Sequence, residues 1–129
     1  MVDAAILCVD DEISILKSLE IELRETFADR YLYEFAESGM EALEILADLG
    51  QEGIQTLLVV SDWLMPGMKG DELLTQIHQD HPDIITVMLT GQADEQAVQR
   101  ACEQAQLYSC IYKPWQADEL RQIIHTALE

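Results

Sequence analysis

Positive charge is scarce in this chain. Seven Lys and Arg stand against 25 Asp and Glu, giving a formal net charge of −18 over 129 residues. A nucleic-acid surface needs a basic face, and an anionic membrane surface asks for the same, so the composition argues against both. It favours cations and basic protein surfaces. Cysteine is also scarce: there are three, an odd number with no paired spacing. Cys8 and Cys110 sit in apolar runs, where a free thiol behaves as a small hydrophobe. The three therefore read as reduced core residues of a cytoplasmic protein, not as a disulfide framework. No apolar run approaches the roughly 20 residues of a membrane span. The first residues lack the basic segment and long apolar stretch of a secretory signal. Linkers, repeats and low-complexity tracts are missing too. What is present is a 49% apolar chain, enough for one domain over 1–129 with a real core.

The apolar residues fall into a regular alternation. Short runs occur at 4–9 (AAILCV), 31–36 (YLYEFA), 56–61 (TLLVVS), 84–90 (IITVMLT) and 107–112 (LYSCIY). The first, third and fourth are almost wholly apolar, which suits parallel strands covered on both faces. The second is mixed and suits a sheet edge. Between the runs lie helical periodicities. Ile13, Leu16, Leu19, Leu23 and Phe27 recur at steps of three and four. Ser38-Gly39-Met40-Glu41 has capping-box spacing ahead of Leu43 and Leu46, with Gly50 and Gly53 around the end of that helix. A third helix runs from about 71 and must stop before Pro82. A fourth, over 94–105, has only the thin stripe Ala97, Val98, Ala101 and Ala105 and should dock weakly. A fifth carries Leu120, Ile123, Ile124 and Leu128. Five strands alternating with five helices predict a parallel sheet with helices on both faces. Ligands of such sheets bind beyond the carboxyl ends of the strands.

The residues that end the strands are chemically distinctive. The first strand ends in Asp10-Asp11, followed by Glu12; the third in Ser61-Asp62; the fourth in Thr90-Gly91; the fifth in Lys113-Pro114. Each has an ordinary explanation alone: a helix cap, a turn former, a last strand residue, a solvated charge. Their coincidence at four strand ends does not. Carboxylates held near 4 Å apart repel by about 4 kcal/mol at an effective dielectric of 20, which a hard divalent cation relieves. Mg²⁺ takes oxygen ligands and keeps waters that a phosphate can displace. One carboxylate then serves as nucleophile on phosphorus, a Lys neutralises transferring oxygens, and positioning supplies most of the catalysis.

The combination VDDE, SDWLMPGMKG, MLTG and YKPW resembles the receiver domain of two-component response regulators, of the chemotaxis-receiver kind, over essentially the whole chain. The resemblance implies an α/β, doubly wound, flavodoxin-like fold, with a five-stranded parallel sheet of order 2-1-3-4-5 and five helices. It implies Asp62 as phosphoacceptor, Thr90 as switch hydroxyl and Lys113 as the ammonium that pairs with phosphate. Asp11, Asp62 and the backbone carbonyl of Leu64 would hold Mg²⁺ or Mn²⁺, with Asp10 acting through water. Lys113-Pro114 is expected to be cis. The implied partners are a sensor histidine kinase or a histidine phosphotransfer protein, a fused or separate output domain, and a second copy as a homodimer. The implied module phosphorylates and dephosphorylates itself and is not a turnover enzyme. The chain is either free-standing or excised from a longer protein. Its Lys-Pro-Trp ending resembles receivers joined to signalling enzymes more than those joined to DNA-binding domains.

The chain also departs from that pattern. The family's switch aromatic, three residues before the Lys, is Cys110 here, with Tyr108 a substitute nearer the strand start. Leu64 and Gln92, two residues after Asp62 and Thr90, flank the path of attacking water, which an apolar Leu64 should hinder. Cys110 supports an alternative, a receiver-like module that binds its partner largely without phosphorylation. A phosphohydrolase using Asp62 as nucleophile would carry an acid two residues on, where Leu64 stands. His78 and His81 read as surface residues rather than a zinc pair, and His125 has no metal partner. Trp63, Trp115, Met65, Met68 and Met88 read as packing residues.

Overall fold

Each apolar run is a strand, and a helix follows each one. The computed structural model describes residues 3–91 and 95–128. The elements are β1 (Ala4–Val9), α1 (Ile13–Phe27), β2 (Leu32–Ala36), α2 (Gly39–Gln51), β3 (Gln55–Asp62), α3 (Gly70–Asp80), β4 (Ile85–Thr90), α4 (Glu95–Ala105), β5 (Ser109–Tyr112) and α5 (Ala117–Leu128). A short 3-10 turn, Ala28–Arg30, follows α1. All strand pairs are parallel, in the order β2-β1-β3-β4-β5. The mixed run is indeed an edge strand.

Side chains alternate across the sheet and so build two cores. Ile6, Cys8, Leu58, Val60, Val87, Leu89 and Ile111 pack with Leu16, Leu19, Leu23 and Phe27 of α1 and Leu120 and Ile124 of α5. Leu7, Val9, Val59 and Met88 pack on the other face with α2, α3 and α4. Ile13 departs from its expected place: it is 53% exposed. It is the first residue of α1 and stands at the helix mouth, where the sheet beneath has already ended. The thin stripe of α4 is real: Val98, Ala101 and Ala105 are its buried residues among those described. Gln92 and the side chain of Ala97 lie outside the described residues.

The helix ends follow local chemistry. Ser38 caps α2 by accepting the Glu41 N–H at 3.1 Å. Glu41 returns a bond at 2.7 Å to the N–H of Glu37, one residue earlier than in the usual reciprocal box. Gly53, at φ 77°, takes the left-handed conformation that turns the chain toward β3. Gln106, at φ 53°, does the same after α4, where the Leu107 N–H bonds the Cys102 carbonyl at 3.0 Å. None of the described helices is long and apolar enough to cross a membrane.

The cysteines require a correction. Cys8 is free and buried as expected, and burial, with the nearby Glu20 charge, pushes its thiol up. Cys102 and Cys110 are instead joined in a disulfide, with Cα atoms 7.2 Å apart. Apolar context marked Cys110 as core-facing, which it is. What the chain's spacing concealed is that the turn at Gln106 folds the last coils of α4 back beside β5.

Candidate functional site

β1 and β3 are neighbours in space, and their connections leave toward opposite faces of the sheet. The rim beyond their carboxyl ends is thus where a doubly wound fold opens a crevice. Asp10 and Asp11 follow β1 and Asp62 closes β3. One carboxylate oxygen from each lies within 4.8 Å of the others. Asp10 is wholly buried, Asp62 nearly so and Asp11 exposed. Asp10 does not cap α1 as a first-turn acid would. It folds back, and its Oδ1 accepts the Glu12 N–H at 2.8 Å.

β5 brings the counter-charge. Lys113 Nζ donates to Asp10 Oδ2 and to Asp62 Oδ1, each at 3.0 Å. The Lys113 N–H bonds the Thr90 carbonyl at 2.8 Å, and the Lys113-Pro114 peptide is cis. Burial alone would lower the ammonium's pKa, but the bonds to Asp10 and Asp62 outweigh it and hold the pKa above its ordinary value. Burial pushes the Asp62 carboxyl up. The Lys113 bond opposes that shift, while the Asp10 charge adds to it. Trp63 N–H also donates to Asp62 Oδ1, at 2.9 Å. Among the described residues Oδ1 takes both of these bonds, and Oδ2 is left available.

Thr90, almost fully buried, ends β4 beside this cluster, and Gly91 follows it. An open cleft is lined by Glu12, Asp62, Leu64, Thr90, Gly91 and Lys113. The strand ends therefore meet as the sequence suggested. Leu64, half exposed, stands at the mouth. Tyr108 precedes β5 and is also about half exposed. Trp63 and Met88 are buried, as packing residues should be. Trp115 is different: its Nε1 donates to Glu22 Oε2 at 2.8 Å, tying the start of α5 to α1. His125 stacks on Phe27, with centroids 6.4 Å apart. His78 and His81 join no cluster of three ligating side chains among the described residues.

Gly70 was not singled out by its sequence context, yet the site depends on it. Its N–H bonds the Trp63 carbonyl at 2.6 Å. A Cβ there would come within 1.9 Å of the Asp62 carbonyl oxygen and 2.8 Å of Trp63 Cα. Both are backbone atoms and cannot rotate away. Gly70→Ala is expected to cost about 1–3 kcal/mol and to displace the Asp62-Trp63 backbone. Urea denaturation measures the first effect and Trp fluorescence the second. Gly50→Ala, whose Cβ meets nothing within 4 Å, is the control.

A doubly wound sheet with buried acids, one bridging ammonium and a hydroxyl at its carboxyl rim belongs to a class of phosphoryl-handling α/β switches. The sequence matches the family model for the response regulator receiver domain over residues 6–125. The chain belongs to that family and is a receiver domain of two-component systems. It is 32% identical over 126 residues to the sensor kinase CckA of Brucella abortus, covering 98% of this chain and 13% of that protein. It is 32% identical over 120 residues to the DNA-binding transcriptional regulator NtrC of Escherichia coli K12, covering 93% and 24%. The chain thus spans about a quarter or less of these relatives. The signal receiver domain of an HD domain-containing protein from Pseudomonas fluorescens Pf-5 shares its fold at TM-score 0.85 and 32% identity, covering 97% of this chain and 94% of that one. Receiver domains are signalling modules rather than turnover enzymes, and they generally bind Mg²⁺.

Proposed function

We propose that this chain accepts a phosphoryl group on Asp62 from the phosphohistidine of a sensor histidine kinase or a histidine phosphotransfer protein, in the cytoplasm. One observation carries the reading. The adjacent carboxylates of Asp10 and Asp11 converge with that of Asp62, some fifty residues away, beside a cleft that also contains Thr90, Gly91 and a Lys113 that touches two of the three.

The donor set is all oxygen, which fits a hard divalent ion and not a soft one. Asp11, Asp62 and the Leu64 carbonyl would hold Mg²⁺ or Mn²⁺, with Asp10 acting through water, and the ion supplies charge neutralisation at the reacting phosphorus. The chain does the rest. Lys113 and the Trp63 N–H hold Asp62 Oδ1, so Oδ2 is the attacking oxygen. It bonds phosphorus as the bond to the donor histidine nitrogen breaks. Lys113 then pairs with one phosphoryl oxygen and the Thr90 hydroxyl donates to another. Gly91 has no side chain to obstruct the group. Leu64, apolar at the mouth, slows the water that would hydrolyse the acyl phosphate. The added charge of roughly −1.5 to −2 draws Lys113 and Thr90 inward. That shifts α4 and β5 between two populations. The face of α4, β5 and α5 then meets an output domain, fused or separate, or a second copy.

Incubation with a small phosphodonor and Mg²⁺ is expected to add about 80 Da to the intact chain, and chelator is expected to prevent it. A chain that gains no mass in Mg²⁺ lacks this function. Cys110, standing where a switch aromatic is usual, favours a second reading as a module that binds its partner irrespective of phosphorylation. Equal partner affinity with and without phosphodonor would select it.

A further inference from the structure

We propose that Cys102 and Cys110 are a redox-addressable site: a low-molecular-weight disulfide oxidises the pair to lock α4 onto β5, and reduction releases the helix. Three observations converge on it. Both cysteines are half-buried at the margin of one core, Cys110 on the edge strand β5 and Cys102 on the helix beside it, so the pair lies at the outer edge of the sheet. Cys8 is buried with its thiol pushed up, so it does not compete for the exchange. The tethered helix is the one with the slightest apolar anchorage described, Val98, Ala101 and Ala105, against Leu16, Leu19, Leu23 and Phe27 on α1. A covalent tie therefore changes the freedom of α4 more than it would change a well-packed helix. Neither cysteine is among the buried residues of the two cores; both pack against the margin of one of them.

The position gives the bridge its consequence. α4 follows Thr90 and Gly91 in the chain, and Cys110 lies three residues before Lys113 on the segment that brings the ammonium to Asp62. The bond closes a link between the element after the hydroxyl and the element bearing the ammonium. In the exchange, one cysteine thiolate attacks a sulfur of glutathione disulfide and expels one glutathione thiolate. The second cysteine thiolate then attacks the protein-bound sulfur and expels the other. Two electrons pass to the glutathione, and the two thiol protons end on the two released glutathione thiols. A dithiol reductant runs the reverse.

The link to signalling rests on phosphoryl acceptance at Asp62, so the experiment separates the two. The intact chain is equilibrated with glutathione disulfide or dithiothreitol, and thiols are then alkylated. The fragment between Arg100 and Arg121 contains both cysteines and no third. Amide hydrogen exchange is followed over 98–105. Expected are an internal bridge under glutathione disulfide, full reversal by dithiothreitol, and roughly tenfold slower exchange of α4 amides when bridged. Cys102→Ser should exchange at the reduced rate in both conditions. Equal exchange in the two forms of the wild-type chain, or glutathione adducts in place of the bridge, overturns the proposal. With phosphodonor and Mg²⁺, α4 exchange should respond in the reduced form alone. Phosphoryl uptake with the same α4 response in both forms overturns the lock. Absence of uptake in either form defeats the Asp62 reading, while bridge-dependent exchange in the unphosphorylated chain still decides the redox site.

Discussion

Asp62→Asn is expected to abolish phosphoryl uptake while leaving the fold at least as stable in chelator. Of the three clustered acids, Asp62 is the one that lines the open cleft; Asp10 lies buried behind it. An amide retains an oxygen to accept from Lys113 and the Trp63 N–H but has no nucleophilic oxygen for phosphorus. Uptake under phosphodonor should therefore fall by at least about 100-fold, to background in intact-mass measurement. The stability half follows from linkage. The Asp62 pKa is raised on folding, so the native chain binds that proton more tightly than the unfolded chain. Such a group adds stability below its unfolded pKa and loses that advantage as pH rises through the folded value. At neutral pH the ionised carboxylate is left beside Asp10. A neutral amide removes that repulsion, so the variant's thermal midpoint in chelator should equal or exceed that of the parent, and its gain on adding Mg²⁺ should shrink. Retained uptake, or a lowered midpoint in chelator, contradicts the assignment.

The site was legible from the chain because strand order and side-chain chemistry are both local signals. Apolar runs ending in Asp, Thr or Lys, three of them almost wholly apolar, place those residues at one rim once the strands are parallel, and family resemblance supplied the order. What was not legible depended on approach distances between elements. Gly70 reads as an ordinary loop residue until the Asp62 carbonyl is seen where its Cβ would be. Ile13 fits the α1 periodicity, yet periodicity does not say where the sheet under the helix stops. Cys102 and Cys110 are eight apart, a spacing with no meaning until the left-handed Gln106 reverses the chain. The hydrogen bond from Trp115 to Glu22 spans 93 positions and left no trace in either local pattern.

Lys113→Ala is expected to show the strongest dependence on metal. The ammonium is the one described cation bridging Asp10 and Asp62, with its side chain 18% exposed and that of Asp10 fully buried. Removing one partner of a buried pair leaves an uncompensated charge, which costs about 3 kcal/mol. Here it leaves two carboxylates facing each other, along with Asp11. For a domain of this size the loss corresponds to a thermal midpoint lower by roughly 10 °C in chelator. Mg²⁺ would restore positive charge to the same acidic cluster, so the variant should recover more on its addition than the parent gains. At ten times the dissociation constant the binding contribution is about 1.4 kcal/mol. Thermal unfolding with and without Mg²⁺ measures both quantities. A variant as stable as the parent in chelator would mean that the two buried acids do not rely on Lys113. Equal Mg²⁺ gains in both proteins would mean that the ion and the ammonium do not share the same carboxylates. Either result would break the link between the convergence of charges at the strand ends and the chemistry assigned to Asp62.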